Sequence, residues 1–370
     1  MFKQLTVLTI VLIFAVSLQA QDVRASKAKS WSLTGRVQLQ HLYDNSIDAD
    51  AAKNNNGFRI RRTRLQVKAK LSDILSGKVQ IEVRDNSPRL KDAEAKLKLF
   101  DNYALRIGQF KVPVWREELR SSGSLFLVER SHVAEFLVDK YLSAQHIGLE
   151  VTGAYENGVG FAVNYSNGAG EGAREDAGRT RFSVKNDTIY ESIDNVNNGK
   201  LFTARINVPI KKVAEIGLSF ALNQLGNKIA EYGINNEGNV YVIAPDFGLY
   251  LPVGIDIEGG AALGAISKDL TGASDDEMFR LFEISALWKQ SLAKPLDKFG
   301  GLDGFGFAGG VSYIEPDTET DDNETMVYRF GPIVYFGKQF RFQVNGEYED
   351  FSAPDTDSVF KIRSQFTLNF

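Results

Sequence analysis

The chain ends in the stretch Phe360-Lys361-Ile362-Arg363-Ser364-Gln365-Phe366-Thr367-Leu368-Asn369-Phe370, where two kinds of side chain alternate. Apolar residues and Ser364 fall on one face, and charged or polar residues fall on the other. A period of two residues is the geometry of a β-strand. Chain termini of soluble proteins are usually polar and frayed, so a long alternating strand that ends in an aromatic residue is unusual for them. The pattern predicts the closing strand of an outer-membrane β-barrel, with Phe370 as the signal for the barrel-assembly machinery.

The first twenty residues have the parts of a secretory signal peptide. Lys3 supplies the positive charge, an apolar run extends from Leu5 to Val16, and the small Ala20 precedes the polar Gln21. A membrane-spanning helix needs roughly 20 apolar residues, which this run does not reach. The sequence therefore predicts export through a cleaved signal peptide over 1–20. We expect a short periplasmic segment over 21–30 and a transmembrane barrel over 31–370 in the outer membrane of a Gram-negative cell.

Composition favours a strand-rich exported protein whose cargo is anionic. The chain has no Cys, so it has neither disulfides nor a lipoprotein anchor, and it has 33 Gly and 25 Phe but only 9 Pro. From Phe58 to Arg120 there are 16 Lys and Arg against 8 Asp and Glu, whereas the expected external loops 44–50 and 316–324 are acidic. A basic wall behind an acidic rim suggests small anions rather than nucleic acid as the partner.

The positions of the expected strands give an even number with alternating connections. Long connections at 44–57, 111–144 and 167–199 alternate with short ones at 72–76, 157–158 and 211–214, as in outer-membrane barrels. The exception is 291–303, a long connection on the short side. The fold predicted is all-β, a 16-stranded antiparallel transmembrane barrel, with strands near 31–43, 58–71, 77–86, 90–100, 103–111, 145–155, 159–166, 200–210, 215–223, 240–251, 254–266, 278–290, 304–314, 326–337, 339–351 and 359–370.

The faces of these strands predict which side meets lipid. Leu33, Val37 and Leu39 share one face, and Arg36 and Gln38 share the other. A cylinder of sixteen strands is too wide for side chains to fill, so the polar face is expected inside and the apolar face outside. An Arg or Lys at the lipid midplane would cost about 2–4 kcal/mol, which fixes the same register.

Three blocks of sequence resemble one known family. The first is Phe58-Arg59-Ile60-Arg61-Arg62-Thr63-Arg64-Leu65, which resembles the second strand of the phosphate-selective porin O and porin P family. The second is Arg106-Ile107-Gly108-Gln109-Phe110-Lys111-Val112-Pro113, similar to the entry into the third external loop of that family. The third is Glu117-Glu118-Leu119-Arg120-Ser121-Ser122 with Phe126, Glu129, Arg130 and Ser131. The similarity is strong over about the first third of the chain.

The resemblance implies an outer-membrane porin whose partners are inorganic phosphate or other small anions, outer-membrane lipid and lipopolysaccharide, and two further copies in a homotrimer.

 It also implies a third external loop that folds inward and carries Arg116, Arg120 and Arg130 at the constriction. By strand parity and this resemblance, the anion pathway is expected to be lined by Arg36, Arg61, Arg62, Arg64, Lys68, Lys70, Arg84, Lys96, Lys98, Arg106, Lys111, Arg329, Arg341 and Arg363.

A structural role is the alternative for each of these cations. Carboxylates such as Glu82, Glu94 and Glu347 also fall on the inner face by parity, so Arg61, Arg62 and Arg64 either pair with them or contact anions. Lys111 stands at the base of the third loop, where both roles are open. The three loop arginines either line the constriction or tie the loop to the wall.

Enzymatic chemistry finds little support in the residue types. The chain has three His, at 41, 132 and 146, and neither metal-ligand spacing nor a phosphate-binding Gly-rich loop. We therefore expect no catalytic residue, metal or cofactor. An alternative function is a structural or adhesive outer-membrane barrel whose long loops bind a partner. The apolar content of 124–141 favours the pore, since such a loop is better folded against a wall than exposed.

Overall fold

The computed structural model describes residues 28–47, 55–84, 87–170, 181–185, 188–192, 199–226, 228–229, 234–297, 301–337 and 339–370. The predicted signal peptide and most of the predicted periplasmic segment 21–30 lie outside these residues.

Sixteen antiparallel strands form a closed barrel in which each strand pairs with its neighbours along the chain. This confirms the predicted fold class and strand number. The barrel strands are β1 Ser30–Asp44, β2 Asn56–Lys70, β3 Leu75–Arg84, β4 Ser87–Phe100, β5 Tyr103–Lys111, β6 Gln145–Ala154, β7 Gly160–Ser166, β10 Leu201–Ile210, β11 Ala214–Leu225, β14 Gly238–Leu251, β15 Ile255–Ile266, β16 Glu277–Leu296, β17 Leu302–Glu315, β18 Thr325–Phe336, β19 Phe340–Phe351 and β20 Val359–Asn369.

Two short hairpins lie outside the barrel sheet, in connections that the sequence predicted as loops. They are β8 Arg181–Lys185 with β9 Thr188–Ser192, and β12 Lys228–Ile229 with β13 Ile234–Asn235. The long connection 291–303 is also partly strand, because β16 continues to Leu296 and pairs there with Leu302 of β17.

Closure brings the two ends of the barrel sheet together. β20 pairs with β1 from Arg36 opposite Asn369 to Asp44 opposite Lys361. The faces alternate as predicted at this seam: Leu39 and Phe366 are exposed, whereas Gln38 and Gln365 are buried. Since a wide barrel turns its polar face inward, the buried glutamines mark the inner face and the exposed apolar residues mark the outer face.

The connection between β5 and β6 carries most of the helical structure. Its helices are α1 Arg116–Leu119 and α2 His132–Asp139, and a third helix, α3 Lys268–Thr271, follows β15. Ser131 caps α2, since its Oγ accepts a hydrogen bond from the amide of Ala134 at 3.1 Å. None of the described helices is long and apolar enough to cross a membrane. We call residues 112–144 the 112–144 segment.

Part of the inner face is apolar, which differs from the polar inner face that the sequence predicted. Val240, Val242, Phe279 and Leu281 of β14 and β16 are buried on this face. They form one cluster with residues of the 112–144 segment, namely Val112, Val114, Trp115, Val133, Ala134, Leu137 and Leu142. The apolar wall therefore provides the surface on which the segment buries its own apolar side chains.

Candidate functional site

A β-bulge in β2 places two consecutive arginines on the inner face. Gln38 of β1 lies opposite Arg62, and the next residue, Leu39, lies opposite Ile60, so Arg61 has no residue opposite it. An extra residue of this kind re-aims the side chains on either side of it. Arg61 and Arg62 are both buried, while Ile60 is exposed. Strict alternation would put only one of these two predicted pathway residues on the inner face, and the bulge allows both to lie there.

The carboxylate of Glu129, in the 112–144 segment, lies among the arginines of β2. Its Oε1 is 2.5 Å from Nε of Arg61, and its Oε2 is 2.9 Å from Nη2 of the same residue. Nη2 of Arg62 donates to Oε2 at 3.4 Å, and Nε2 of Gln40 donates to Oε1 at 2.9 Å. Nη2 of Arg59 lies 3.8 Å from Oε1. Glu129 therefore joins the segment to both β1 and β2.

The charge state of Glu129 follows from these neighbours. Burial alone would raise its pKa, because a carboxylate loses hydration inside a protein. The guanidinium groups of Arg62 and Arg61 outweigh that effect, and hydrogen bonds from Arg61 and Gln40 add to theirs, so the pKa of Glu129 lies well below its usual range. Glu129 is therefore an anion at neutral pH.

Two arginines face each other beside two serine hydroxyls. Arg36 of β1 lies directly opposite Arg64 of β2. Nη1 of Arg36 donates to Oγ of Ser121 at 3.0 Å and of Ser122 at 3.1 Å, and Nη1 of Arg64 donates to Oγ of Ser122 at 3.1 Å. A Cβ at Gly123 would lie 2.3 Å from Cζ of Arg36, so only glycine allows this approach. Here the segment brings hydroxyls to a pair of like charges.

The Arg36 and Arg64 pair also has fewer carboxylates than guanidinium groups. Arg64 also binds the carboxylate of Glu82 on β3, and Nε of Arg36 donates to Oδ1 of Asn369 at 2.7 Å. The hydrogen bonds found for the Arg36 guanidinium are thus to neutral oxygens. Like charges directly opposite on neighbouring strands repel each other. One carboxylate for two guanidinium groups leaves this point with a positive excess.

Glu118 holds Lys111 and Arg130 at the base of the segment. Nζ of Lys111 is 2.9 Å from its Oε1, and Nε of Arg130 is 2.6 Å from its Oε2. Burial would raise the pKa of Glu118, but Arg130 and Lys111 lower it below the usual value. Arg130 also donates to the carbonyl oxygen of Arg120 at 2.8 Å. These contacts give Lys111 and Arg130 a role in holding the segment together.

Arg116 and Arg120 connect the segment to the side of the barrel away from β1. Nε of Arg116 is 3.0 Å from Oδ1 of Asp246 on β14, and its Nη2 is 2.8 Å from Oε1 of Glu215 on β11. Arg120 forms an ion pair with Glu258 on β15. The sequence left open whether these arginines line the constriction or tie the loop to the barrel wall. Their contacts favour the second role.

Three more of the predicted pathway arginines lie on β18, β19 and β20, and two of them contact the 112–144 segment. Nη1 of Arg329 donates to the carbonyl oxygen of Glu129 at 3.2 Å, and its Nη2 donates to Glu283 at 2.9 Å. Nη1 of Arg341 donates to the carbonyl oxygen of Leu125 at 3.1 Å. Arg363 pairs with Glu347 at 3.0 Å. Arg329 is 3% exposed, so water reaches little of its side chain.

The predicted lysines line a different space. A cavity of about 870 Å³ lies near the ends of β2 to β6, and its lining includes Lys68, Lys70, Lys96 and Lys98. Lys70 is 3.0 Å from Asp73 and Lys98 is 2.8 Å from Asp101, both in turns. Lys96 lies opposite Arg106, another predicted cation, which pairs with Glu150 at 2.7 Å.

A smaller cavity of about 320 Å³ lies between β2 to β4 and the 112–144 segment. The predicted cations Arg61, Arg62, Arg64 and Arg84 line it together with Lys111 and Arg130. Its acidic lining includes Glu82, Glu118, Glu129 and Glu135, and its cationic side chains outnumber the acidic ones. The structure therefore gathers Arg61, Arg62 and Arg64 of β2 around one cavity in which cationic side chains are in excess.

One group of side chains has the composition of a metal site. Ligand atoms of His132, Glu347 and Glu349 lie within 4.8 Å of one another. Lys361 already pairs with Glu349, and Arg363 pairs with Glu347. Because these cations neutralise both carboxylates, ion pairing accounts for the group.

Arg59 and Arg205 also lie on the inner face, and neither was predicted there from the sequence. Nε of Arg59 donates to Oε1 of Gln40 at 2.8 Å, and Nη2 of Arg205 donates to Oδ1 of Asp246 at 2.8 Å. Arg59 could have been found, since it stands two residues before Arg61. Arg205 lies in a mainly apolar strand, where one charge gives no pattern.

Comparison with solved structures shows the same fold in channel proteins. An anion-selective porin from Comamonas acidovorans superposes with a TM-score of 0.65 at 11% identity, covering 92% of this chain and 99% of that chain. The outer membrane channel DcaP of Acinetobacter baumannii gives 0.57 at 14% identity, covering 93% and 99%. OmpT of Vibrio cholerae, in its trimer form, gives 0.59 at 10% identity, covering 92% and 99%. Curated proteins gave no match.

The closed sixteen-stranded barrel thus has the fold of outer-membrane porins. Residues 32–209, from β1 to nearly the end of β10, match the family model of phosphate-selective porin O and P, which supports an outer-membrane porin channel. The resemblance predicted from the three sequence blocks is thereby confirmed.

Proposed function

We propose that this porin is a water-filled diffusion channel that prefers small anions, inorganic phosphate among them. The observation that carries the proposal is the pair Arg36 and Arg64 beside Ser121 and Ser122. A guanidinium presents its donors in a planar fork that suits an oxyanion, and hydroxyls can donate to the remaining oxygens. The likeness to an anion-selective porin and the family match support the same conclusion.

We infer that the 112–144 segment lies inside the barrel and narrows it. The segment contacts Arg36 on β1 and Arg341 on β19, which are close together at the seam, and also Asp246 on β14, which lies on the far side of the closed sheet. A single segment reaches inner-face side chains on these strands only by crossing the interior. Its contacts with Gln38 and Gln343, both fully buried, support closure of the seam side to water.

The solute path then runs between the segment and the wall formed by β2 to β6. The 320 Å³ cavity gives anions a positively balanced entrance, the Arg36 and Arg64 pair forms the narrow point, and the lysine-lined 870 Å³ cavity lies beyond it. Confined cationic side chains raise the local anion concentration and exclude cations. An anion that exchanges one cationic side chain for the next along this path can leave as readily as it enters.

We further propose that three copies assemble in the outer membrane, as a homotrimer surrounded by lipid and lipopolysaccharide. Phe370 would be the residue that the barrel-assembly machinery reads. The exposed apolar outer face, which includes Leu65, Val67 and Phe366, supports insertion into lipid.

Reversal potentials of single channels in a salt gradient test the proposal. We expect an anion-side reversal potential for the unaltered protein, and a smaller one for Arg36→Gln and for Arg64→Gln. The control is Arg280→Gln, which makes the same chemical change at a side chain that is about half exposed and pairs with Glu315. A cation-side potential in the unaltered protein, or equal effects of all three changes, contradicts the proposal.

A further inference from the structure

Three polar side chains stand in one row across neighbouring strands of the inner face, away from the seam. Glu150 of β6 lies opposite Asn164 of β7, and Asn164 lies opposite Thr203 of β10. Ser166 is the next inner-face residue along β7. All four side chains are at most 2% exposed. Residues directly opposite on adjacent strands have Cβ atoms about 4.5–5.5 Å apart, so these residues form a compact group.

Each of the four carries an oxygen for which the described residues offer no hydrogen-bond partner. The oxygens are Oε2 of Glu150, Oδ1 of Asn164, Oγ of Ser166 and Oγ1 of Thr203. The remaining polar atoms of Glu150 and Asn164 are already used. Oε1 of Glu150 accepts from Nη2 of Arg106 at 2.7 Å, and Nδ2 of Asn164 donates to a backbone carbonyl at 3.0 Å. Buried polar atoms are seldom left without a partner, so the group requires an occupant.

The unpartnered atoms of this wall differ in kind from those near the seam. On β6, β7, β10 and β11, every buried side-chain atom without a partner among the described residues is an oxygen, Oδ1 of Asn223 included. On β18 and β20 the corresponding atoms are guanidinium nitrogens of Arg329 and Arg363. Carboxylate and amide oxygens repel an anion. The occupant of the group is therefore either a cation or a hydrogen-bond donor such as water.

The balance of charge around Glu150 favours a cation. A linked group of ion pairs on β3 to β6 has three carboxylates and two cations, namely Asp92, Glu94 and Glu150 with Lys78 and Arg106. Lys96 is the next cation on this wall, but it is exposed, so water screens its charge. Water beside Glu150 would satisfy its free oxygen and leave the group with one negative charge too many. A monovalent cation supplies the counter-charge that a buried carboxylate needs.

The 112–144 segment separates the group from water. Leu201 stands beside Thr203 on the inner face of β10 and belongs to the apolar cluster that contains Val112 and Leu142 of the segment. Arg205, two residues beyond Thr203, is already paired with Asp246. The four oxygens thus lie under an apolar cover, where electrostatic attraction is stronger than in water.

We propose that Glu150, Asn164, Ser166 and Thr203 bind one alkali-metal cation, with sodium as the ion that fills the site. One carboxylate, one amide oxygen and two hydroxyls are hard oxygen ligands of the kind that such ions prefer. A single positive charge also completes the balance of the ion-pair group. Because its ligands are buried, the ion stands outside the solute path and stabilises the wall on which the segment lies. The site is therefore independent of the anion preference proposed above.

Stability in salts of different cations tests the site. The quantity measured is the urea midpoint of Trp115 fluorescence, in a background where Trp31→Phe and Trp288→Phe remove the other two tryptophans. Sodium chloride is compared with N-methylglucamine chloride at the same concentration, so that the anion and the ionic strength stay the same. We expect the midpoint to rise with sodium concentration above the dissociation constant, because the ion binds the folded protein alone.

Variants of the ligands locate the effect. Thr203→Val removes one ligand oxygen at nearly constant volume and should lose most of the difference between the two salts, whereas Thr203→Ser keeps the hydroxyl and should keep the difference. Thr152→Val is the matched control, since Thr152 lies on the same strand as Glu150, two residues away and outside the ligand set. Should Thr203→Val fail to refold, Ser166→Ala removes another ligand and takes its place in the comparison.

Two outcomes overturn the proposal. Equal midpoints of the unaltered protein in the two salts would mean that water fills the group. A difference that survives the loss of a ligand hydroxyl, or that Thr152→Val removes to the same extent, would mean that sodium acts elsewhere on the protein.

Discussion

The ring of Phe370 covers the backbone of Gly35 on the outer face of the barrel. A Cβ built on Gly35 would lie 2.2 Å from Cε2 of that ring. The two residues also pair through their backbones, since the amide of Gly35 donates to the carbonyl oxygen of Phe370 at 2.6 Å and the amide of Phe370 donates back at 3.0 Å. Because Gly35 has no side chain, the aromatic ring of Phe370 can lie against its backbone.

A side chain at Gly35 should therefore impair closure of the barrel. We expect Gly35→Val to reduce the fraction that migrates as a heat-modifiable folded form on electrophoresis, because the ring of Phe370 loses its place. Gly77→Val is the control, since a Cβ there meets only the carbonyl oxygen of Glu94, at 3.6 Å. Equal folded fractions for the two variants would show that the contact between the Phe370 ring and Gly35 is not needed for assembly.

Charge placed on the two faces of β2 should have opposite consequences. We expect Arg64→Glu to fold and to lose anion preference, because it removes one cation of the narrow point and adds an anion. Leu65→Glu should reduce membrane insertion instead, since Leu65 lies on the exposed outer face. An Arg or Lys at the lipid midplane costs about 2–4 kcal/mol, and a Glu costs less but still opposes insertion. Reversal potentials and the membrane-inserted fraction distinguish the two effects, and the reverse outcome would place β2 in the wrong register.

Arg329→Leu should act on stability rather than on selectivity. Removing one partner of a buried ion pair costs about 3–5 kcal/mol, because the remaining charge is left without a counter-charge. Here the remaining charge is Glu283, at 2.9 Å in the intact pair. We expect a lower urea midpoint of unfolding, measured by the fluorescence of Trp115 in a background where Trp31→Phe and Trp288→Phe remove the other two tryptophans. We also expect noisier single-channel current, with little change in reversal potential. Arg280→Leu breaks a more exposed pair and should cost only about 0–1 kcal/mol. A shifted reversal potential for Arg329→Leu would return Arg329 to the solute path.

Acid should loosen the 112–144 segment through Glu129. Its pKa in the folded protein lies below the unfolded value of about 4.3. The unfolded state therefore takes up the proton first as the pH falls, so the stability contributed by Glu129 is complete above about pH 4.3 and is lost below it. The Trp115 urea midpoint should stay constant from neutral pH down to about pH 5 and then decrease. Burial raises the pKa of Glu135, whose contribution has the opposite sign. The difference between the unaltered protein and Glu129→Gln isolates Glu129, and a difference that does not depend on pH would contradict the assignment.

The strands were predictable because lipid imposes a simple pattern on them. A residue of β20 such as Phe366 meets lipid and its neighbour Gln365 does not, so the alternation is visible in the sequence itself. The bulge at Arg61 was not predictable, since a run of two arginines looks the same whether one or both turn inward. Only the pairing of Leu39 with Ile60 reveals the extra residue.

The role of each inner charge was harder to predict than its position. Parity predicted that Arg329 and Arg341 lie on the inner face, but it could not predict that each donates to a backbone carbonyl of the 112–144 segment. Backbone acceptors leave no trace in the residue types of a sequence. Val242 and Phe279 posed the complementary difficulty, because a strand that is apolar on both faces does not reveal which face meets lipid.

The apolar inner wall also bears on the order in which the protein folds. Val112 and Leu137 of the segment precede Val242 and Phe279 by more than a hundred positions in the sequence, yet they share one cluster. Contacts between such distant parts of a chain form late, because the intervening chain must first be ordered. The first half of the barrel can pair strand by strand while the segment still lacks its apolar surface. We therefore expect the segment to dock after β14 and β16 have paired, so that a barrel interrupted before β16 would leave apolar side chains of the segment exposed to water.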